Sequence, residues 1–169
     1  MTTDDHREPA SGGTALAGLA LFGVAAAAAA LVGVLSSTTT AQEYMRLDQP
    51  PWAPPAWLFG PVWTVLYVTI AVAGWGVWRA HGWRGARLEL SLFGAQLLLN
   101  AAWTPLFFAA GLRGTAFAEI VLLWAVLAAT IAAFARRTPW AAALLVPYWA
   151  WTTFAAVLNF AVWQLNTGV

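Results

Sequence analysis

The sequence predicts an all-α integral membrane protein that folds as a bundle of five transmembrane helices. Of its 169 residues, 61% are hydrophobic and 9% are charged, whereas a soluble domain has about 45–50% apolar and about 25% charged residues. Five apolar segments reach the roughly 20 residues that a helix needs to cross the hydrocarbon layer. Short connections between the later segments favour antiparallel neighbours in one compact bundle.

We divide the chain into an N-terminal tail, residues 1–13, and a membrane domain, residues 14–166. The first apolar segment does not resemble a cleaved signal peptide, because the residues before it are acidic on balance and its apolar stretch is longer than usual. The expected spans are about 14–35, 55–79, 88–110, 115–135 and 139–165.

The arginines predict the orientation of these spans. Six of them, Arg7 included, fall on the side of the N-terminal tail, and only Arg46 and Arg113 fall on the other. In an inner or plasma membrane this excess places the N-terminus inside, and the long first loop and the C-terminus outside.

Composition also excludes several classes of function. A net charge of +1 gives no electrostatic case for a nucleic-acid partner. The chain has no cysteine, which excludes disulfides and cysteine metal sites. His6 and His81 both lie outside the spans, so we expect no axial haem ligand in a pocket. We therefore expect no bound metal and no required cofactor.

The start of the second span is unusually rich in proline and tryptophan. Pro54, Pro55 and Pro61 lack an N–H, an omission that costs little in the first turn of a helix, so they predict a rigid helix start. Trp52 and Trp57 fall where the chain meets the lipid headgroups, which is typical of an interfacial aromatic belt.

Trp63 and Tyr67 lie deeper in the same span, one turn apart on one face. A buried indole N–H or phenol O–H needs a hydrogen-bond partner, and lipid tails offer none. We therefore expect both side chains to point into the bundle.

Two other spans carry a polar and aromatic stripe at helical spacing. An asparagine in mid-membrane is costly unless it is hydrogen-bonded, and it commonly joins helices. The stripes therefore have two interpretations: interhelical bonds alone, or faces that converge on a cavity suited to a flat, largely apolar ligand. The members are Gln96, Asn100, Trp103 and Phe107 in the third span, and Trp151, Ala155, Asn159 and Trp163 in the fifth.

Prolines and one acid interrupt the apolar pattern of the later spans. Pro105 and Pro147 each remove one backbone hydrogen bond, so a kink is expected at each. Glu119 lies near the first-loop end of the fourth span, where we expect its carboxylate to reach the interface or to pair with Arg113. A proton relay is disfavoured, since no second acid or buried histidine lies at matching depth.

Three segments in order resemble the TspO/MBR family, the tryptophan-rich sensory proteins and translocator proteins of the peripheral benzodiazepine receptor type. They are "WAPPAWLFGPVWTVLY", "QLLLNAAWTPLFF" and "VPYWAWTTFAAVLNFAVWQLN". The resemblance covers about residues 14–166. It implies a five-helix membrane bundle, often a homodimer, with one pocket that opens toward the first loop. It also implies binding of porphyrins such as protoporphyrin IX and, in some members, of sterols or other lipids.

The resemblance assigns roles to individual residues by position. Trp63 and Trp151 match two pocket tryptophans of the family. Asn100 and Trp103 match pocket-lining positions of the third helix, and Ala155 matches a small pocket position. The remaining matches are Tyr44, a ligand-contacting tyrosine in some bacterial members, and Asn159 of the fifth-helix "LN" motif. With Tyr67 from the helical geometry, the predicted ligand-binding set has eight members.

The fifth helix departs from animal members of that family. Those carry a proposed cholesterol motif that places a tyrosine before a basic residue, a pattern of weak predictive value. Here Phe160 and Gln164 stand in those places, which puts sterol transport by that route in doubt.

Two kinds of function fit these residues, and a third fits less well. The first is a receptor or sensor that binds protoporphyrin IX and serves tetrapyrrole homeostasis or a stress response. The second is an enzyme for light-dependent porphyrin breakdown, with Trp63 and Trp151 as participants. No catalytic constellation favours the enzyme. A porphyrin or sterol transporter is disfavoured because the chain has no internal repeat.

Overall fold

The computed structural model describes residues 12–35 and 40–167. The predicted N-terminal tail, with His6 and Arg7, lies almost wholly outside the described residues. Five described helices are long and apolar enough to cross a membrane, which confirms the predicted fold class. All except the short α2 belong to this set. The helices are α1 (Gly12–Leu35), α2 (Thr40–Arg46), α3 (Phe59–Gly85), α4 (Arg87–Thr104), α5 (Arg113–Ala135) and α6 (Pro139–Leu165).

The five long helices form a closed ring. Helix α1 packs against α3 and α4, α3 packs against α6, α6 against α5, and α5 against α4. Each short connection reverses the chain, so neighbours joined in sequence are antiparallel. We call the end where α1 finishes and α3 begins the first-loop end. Helix α4 finishes, α5 begins and α6 finishes at this same end.

The start of α3 has the rigid geometry that the prolines predict. Pro55 is extended, with φ −64° and ψ 145°, and a single 3₁₀ turn follows at Ala56–Leu58. Helix α3 then begins at Phe59, with Pro61 in its first turn, where its missing N–H leaves no hydrogen bond unmade. Trp57 projects outward and is 70% exposed, as an interfacial anchor must be.

The opposite end of the bundle is held by two turns in contact. Gly82 adopts a φ of 65°, a left-handed conformation that turns the chain toward α4. Arg137, in the α5–α6 turn, makes a 3.0 Å ion pair with the buried Glu89 at the start of α4. Its guanidinium also donates to the Gly85 carbonyl oxygen. The α5–α6 turn is thereby bonded to the α3–α4 turn.

Glycines set the closest helix contacts. A Cβ on Gly18 of α1 would lie 1.9 Å from the Trp78 ring of α3, so any larger residue there would have to displace that ring. The small residues of α1 and α4 do not all share this role. A Cβ on Gly23 or Gly94 would meet nothing within 4 Å. Gly18 therefore serves packing inside one bundle, while Gly23 and Gly94 leave the surface of the bundle smooth.

Pro105 changes the type of helix. Because proline has no N–H and crowds the preceding turn, α4 widens into a π-helical turn at Pro105–Ala109. The Ala110 N–H donates over 2.9 Å to the Pro105 carbonyl, five residues back. Pro147 instead lies inside α6, which continues through it to Leu165.

Candidate functional site

A cavity of about 650 Å³ occupies the first-loop half of the ring. Its volume falls within the roughly 300–1,000 Å³ of small-molecule pockets. All eight residues that the sequence singled out lie on its wall. They are Tyr44, Trp63, Tyr67, Asn100, Trp103, Trp151, Ala155 and Asn159. The structure brings the predicted positions together; their role as ligand contacts stays a prediction.

Aromatic rings from α3 and α6 form two sides of the cavity. The ring of Trp63 lies 5.4 Å from that of Tyr67, one turn away on the same face, as expected. Its other neighbour is the buried Tyr148 ring of α6, edge to face at 6.0 Å. Trp151 packs against Phe154 at 5.4 Å. These contacts fix the orientation of both tryptophans, so that each presents its ring to the cavity.

The polar stripe of α4 has a partner on α3. The Tyr67 hydroxyl donates a 2.7 Å hydrogen bond to Asn100 Oδ1. Asn100 is buried, and this bond joins α3 to α4. The expectation that the Tyr67 phenol finds a partner inside the bundle is confirmed.

Asn159 of α6 joins three helices. Its Oδ1 accepts a 3.1 Å hydrogen bond from the Trp103 indole N–H of α4. Its Nδ2 donates over 3.0 Å to the carbonyl oxygen of Arg113, the first residue of α5. The two interpretations of the asparagines therefore hold together, since Asn100 and Asn159 bond helices to one another and also line the cavity.

The described part of the first loop, which contributes Tyr44 to the wall, covers this end of the cavity. Tyr44 of α2 is only 5% exposed, and its hydroxyl donates over 3.1 Å to the Pro54 carbonyl. Burial raises the pKa of the Tyr44 phenol above its usual value. The loop is also bonded to the end of α6, because Asp48 and Asn166 exchange two hydrogen bonds of 3.2 and 3.0 Å.

Several residues of the cavity wall were not predicted from the sequence. Helix α1 contributes Ala27 and Ala30, and α5 contributes Ile120 and Leu123. The alanine run of α1 predicted only helix packing, because a helix that is apolar all round carries no polar stripe to mark an inner face. Gln96 shows the converse. It shares the stripe of Asn100 and is fully buried, yet it does not line the cavity.

Glu119 contradicts both expected arrangements. Its two carboxylate oxygens are buried, so the side chain does not reach the interface, and they have no hydrogen-bond partner among the described residues. No ion pair joins it to Arg113, which lies six residues earlier on α5. Six residues are about 1.7 turns of helix, so the two side chains leave the helix on different faces.

The cavity wall consists mainly of aromatic and aliphatic side chains and presents few polar groups. No charged side chain lines the cavity among the described residues. The hydroxyl of Tyr67 and the indole N–H of Trp103 are already bonded within the protein. The indole N–H of Trp151 is buried and has no hydrogen-bond partner in the part of the chain that the structure describes. Such a wall stacks against flat apolar molecules and offers them little electrostatic attraction.

Comparison with known proteins agrees with the fold. The model of the TspO/MBR family matches residues 20–164. The chain is 42% identical over 127 residues to a translocator protein of Ovis aries, which covers 74% of this chain and 75% of the relative. It is 40% identical over 141 residues to the tryptophan-rich protein TspO of Chlorobaculum tepidum, 80% of this chain and 89% of that one.

A third relative is the tryptophan-rich sensory protein of Cereibacter sphaeroides. It is 39% identical over 123 residues, which cover 73% of this chain and 76% of the relative. The match spans nearly all of the helical bundle, and the five described helices are those of a multi-pass integral membrane protein. This chain belongs to the TspO/MBR family.

Proposed function

We propose that this membrane protein is a receptor or sensor that binds protoporphyrin IX or a related flat tetrapyrrole in the aromatic cavity. The observation that carries the proposal is the wall itself. Trp63, Trp103 and Trp151 come from three helices and line one cavity that no described charged residue enters. Indole rings stack on an extended π-system, and the low polarity of the wall matches a porphyrin macrocycle.

The carboxylates of such a ligand cannot lie deep in the cavity. An unpaired charge in an apolar site costs several kcal/mol or more, and the described wall supplies no cation to pair with it. The propionates therefore lie toward the lipid headgroups at the first-loop end. The macrocycle then extends inward along the tryptophans.

A dark titration tests this proposal. Purified protein is titrated with protoporphyrin IX, and quenching of tryptophan fluorescence is followed for the parent and for Trp63→Phe/Trp151→Phe. The matched control is Trp57→Phe/Trp83→Phe, which removes two exposed tryptophans that do not line the cavity. We expect saturable quenching that weakens only in the cavity variant. Absent saturation in the folded parent, or equal affinity in all three proteins, would refute the proposal.

Light-dependent breakdown of the bound porphyrin is the alternative function. It is favoured by the run of oxidisable rings that starts at the cavity wall, in which Trp63 contacts both Tyr67 and Tyr148. Illumination of the complex separates the two functions. In an enzyme, loss of the porphyrin absorbance requires Trp63 and Trp151. Equal loss in Trp63→Phe/Trp151→Phe would mean that the porphyrin bleaches without help from the protein, and the receptor function would be retained.

We also propose that the first-loop end faces outward and that the protein forms homodimers. Arg46 and Arg113 are at this end, while Arg84 near the end of α3 and Arg137 in the α5–α6 turn are at the other. With the further arginines there, this asymmetry favours the inner side of the membrane for that other end. The cysteine-free chain allows a direct test. Asp48→Cys should react in intact cells with a membrane-impermeant maleimide, and Arg84→Cys should not.

Crosslinking of the protein in the membrane tests whether it forms the homodimer.

A further inference from the structure

One side of the cavity wall is exposed. The exposed wall residues all lie on two neighbouring helices: Ala27 and Val34 on α1, and Gly60 and Thr64 on α3. Every other described residue of the wall is buried or half-buried. Seven residues separate the α1 pair and four separate the α3 pair, so each pair occupies one helix face. The exposure is therefore continuous and lies between the two helices.

The contacts between α1 and α3 explain why the exposure lies in the first-loop half. At the other end of α1, the Trp75 indole donates a 2.9 Å hydrogen bond to the Ala15 carbonyl. Gly18 receives the Trp78 ring, and Phe22 packs beside Gly74. These large rings fill the seam there. The first-loop half has alanines and a glycine at the same seam, and small side chains leave it unfilled.

The edges of this seam suit hydrocarbon. Ala27, Val34 and Gly60 have no polar side-chain atom. The Thr64 hydroxyl donates a 2.9 Å hydrogen bond to the Gly60 carbonyl, so it needs no water. Both helices are long and apolar enough to span a membrane, so Ala27 and Thr64, which lie more than one turn inside them, are expected at the level of the lipid chains.

The described part of the first loop, in contrast, covers the water-facing end. Tyr44 is buried beneath it and is bonded to Pro54, and Asp48 is bonded twice to Asn166. A ligand that enters from water past these described residues must break these bonds and displace the buried Tyr44 ring. A ligand dissolved in the lipid meets, among the described residues of this seam, the small side chains of Ala27, Val34 and Thr64 and the backbone of Gly60.

We propose that flat apolar ligands reach the cavity sideways from the hydrocarbon layer, through the seam formed by Ala27, Val34, Gly60 and Thr64. We call this opening the α1–α3 portal. The proposal rests on the ligand class proposed above and adds the route. The portal selects for molecules that are thin enough to pass between two helices and apolar enough to partition into the bilayer.

Binding kinetics in vesicles test the route. Protoporphyrin IX is loaded into the lipid, and tryptophan quenching is followed after mixing with vesicles that carry the protein. The portal is narrowed by Ala27→Phe and by Thr64→Phe, each made alone so that a variant that fails to fold leaves the other to decide. The matched controls are Ala28→Phe and Val65→Phe, which are exposed neighbours that do not line the cavity.

We expect each portal variant to slow association and dissociation together, by about tenfold if the ring raises the barrier by about 1.4 kcal/mol. Loss of a ligand contact would instead speed dissociation. Unchanged rates in both folded portal variants would overturn the portal. So would faster association in Asn166→Ala, which releases the loop. Absent saturable binding in the parent would refute the ligand class, whereas intact binding with unchanged rates refutes the portal alone.

Discussion

Replacing Asn159 by leucine removes the contact that joins three helices at the cavity edge. The change deletes the 3.1 Å bond from Trp103 and the 3.0 Å bond to the Arg113 carbonyl. Interhelical hydrogen bonds in membranes are worth about 0.6 kcal/mol on average and up to about 1.7 kcal/mol. Two of them give an expected loss of about 1–3 kcal/mol in the free energy of unfolding.

A double-mutant cycle isolates one of the two bonds. Trp103→Phe removes the indole N–H and keeps an aromatic ring, so its coupling to Asn159→Leu measures the Trp103 bond alone. Unfolding is followed by circular dichroism in mixed micelles of mild and denaturing detergent. The matched control is Gln164→Leu, an exposed amide of the same helix, for which we expect a change within about 0.5 kcal/mol.

The geometry predicts a coupling energy of about 0.6–1.7 kcal/mol for the Asn159–Trp103 pair. Two independent sites add within about 0.3–0.5 kcal/mol. A coupling below that limit would show that the bond contributes nothing to stability. The Asn159 side chain would then not stabilise the packing of α4 against α6, contrary to the prediction.

Three further predictions follow from local geometry. Gly74→Ala should destabilise the fold by about 1–3 kcal/mol, because its Cβ would lie 2.6 Å from a buried phenylalanine ring; Gly94→Ala, into open space, should be neutral or stabilising in the same unfolding assay. Gly33→Cys/Thr104→Cys should oxidise to a disulfide, seen as loss of both free thiols, because the two Cβ positions are 3.8 Å apart; persistent thiols would disprove the contact. Burial raises the pKa of the Tyr44 phenol in the folded protein. The stability that the protonated phenol contributes is therefore complete below about pH 10 and is lost as the pH rises through the folded pKa. The phenolate absorbance of the parent protein, compared with that of Tyr44→Phe, checks this.

The sequence revealed the parts of the site whose residues are costly in a membrane. Asn100 and Asn159 stand out because burying an amide in hydrocarbon is costly unless it is hydrogen-bonded. Helical spacing then places Trp103 and Tyr67 on the inner faces of their helices. One of the two hydrogen-bond partners of Asn159, the acceptor of its amide N–H, could not be predicted in this way. It is the carbonyl of Arg113, whose position depends on where α5 begins.

The α1 wall and the widened turn after Pro105 were hidden for a different reason. Alanines satisfy their backbone within the helix whichever way they face, so Ala27 and Ala30 carry no signal of an inner face. Pro105 predicts a broken hydrogen-bond ladder, but a kink and a π-helical turn both satisfy that condition. Only the structure shows the wider turn, and Phe107 within it lines the cavity, as its spacing from Trp103 predicts.

The side-chain hydrogen bonds that join α3, α4 and α6 lie at the edge of the cavity, and the centre of the cavity is apolar. The Tyr67–Asn100 bond fixes α3 to α4, and the Trp103–Asn159 bond fixes α4 to α6. The donors and acceptors in these bonds are no longer free to recognise a ligand, so recognition depends on ring stacking, on shape and on the buried indole N–H of Trp151, which has no partner among the described residues. The α1 wall of aliphatic side chains brings no polar contact of its own. Changes in the size of its side chains should therefore alter which flat molecules bind, and changes in the amides should alter whether the bundle holds together.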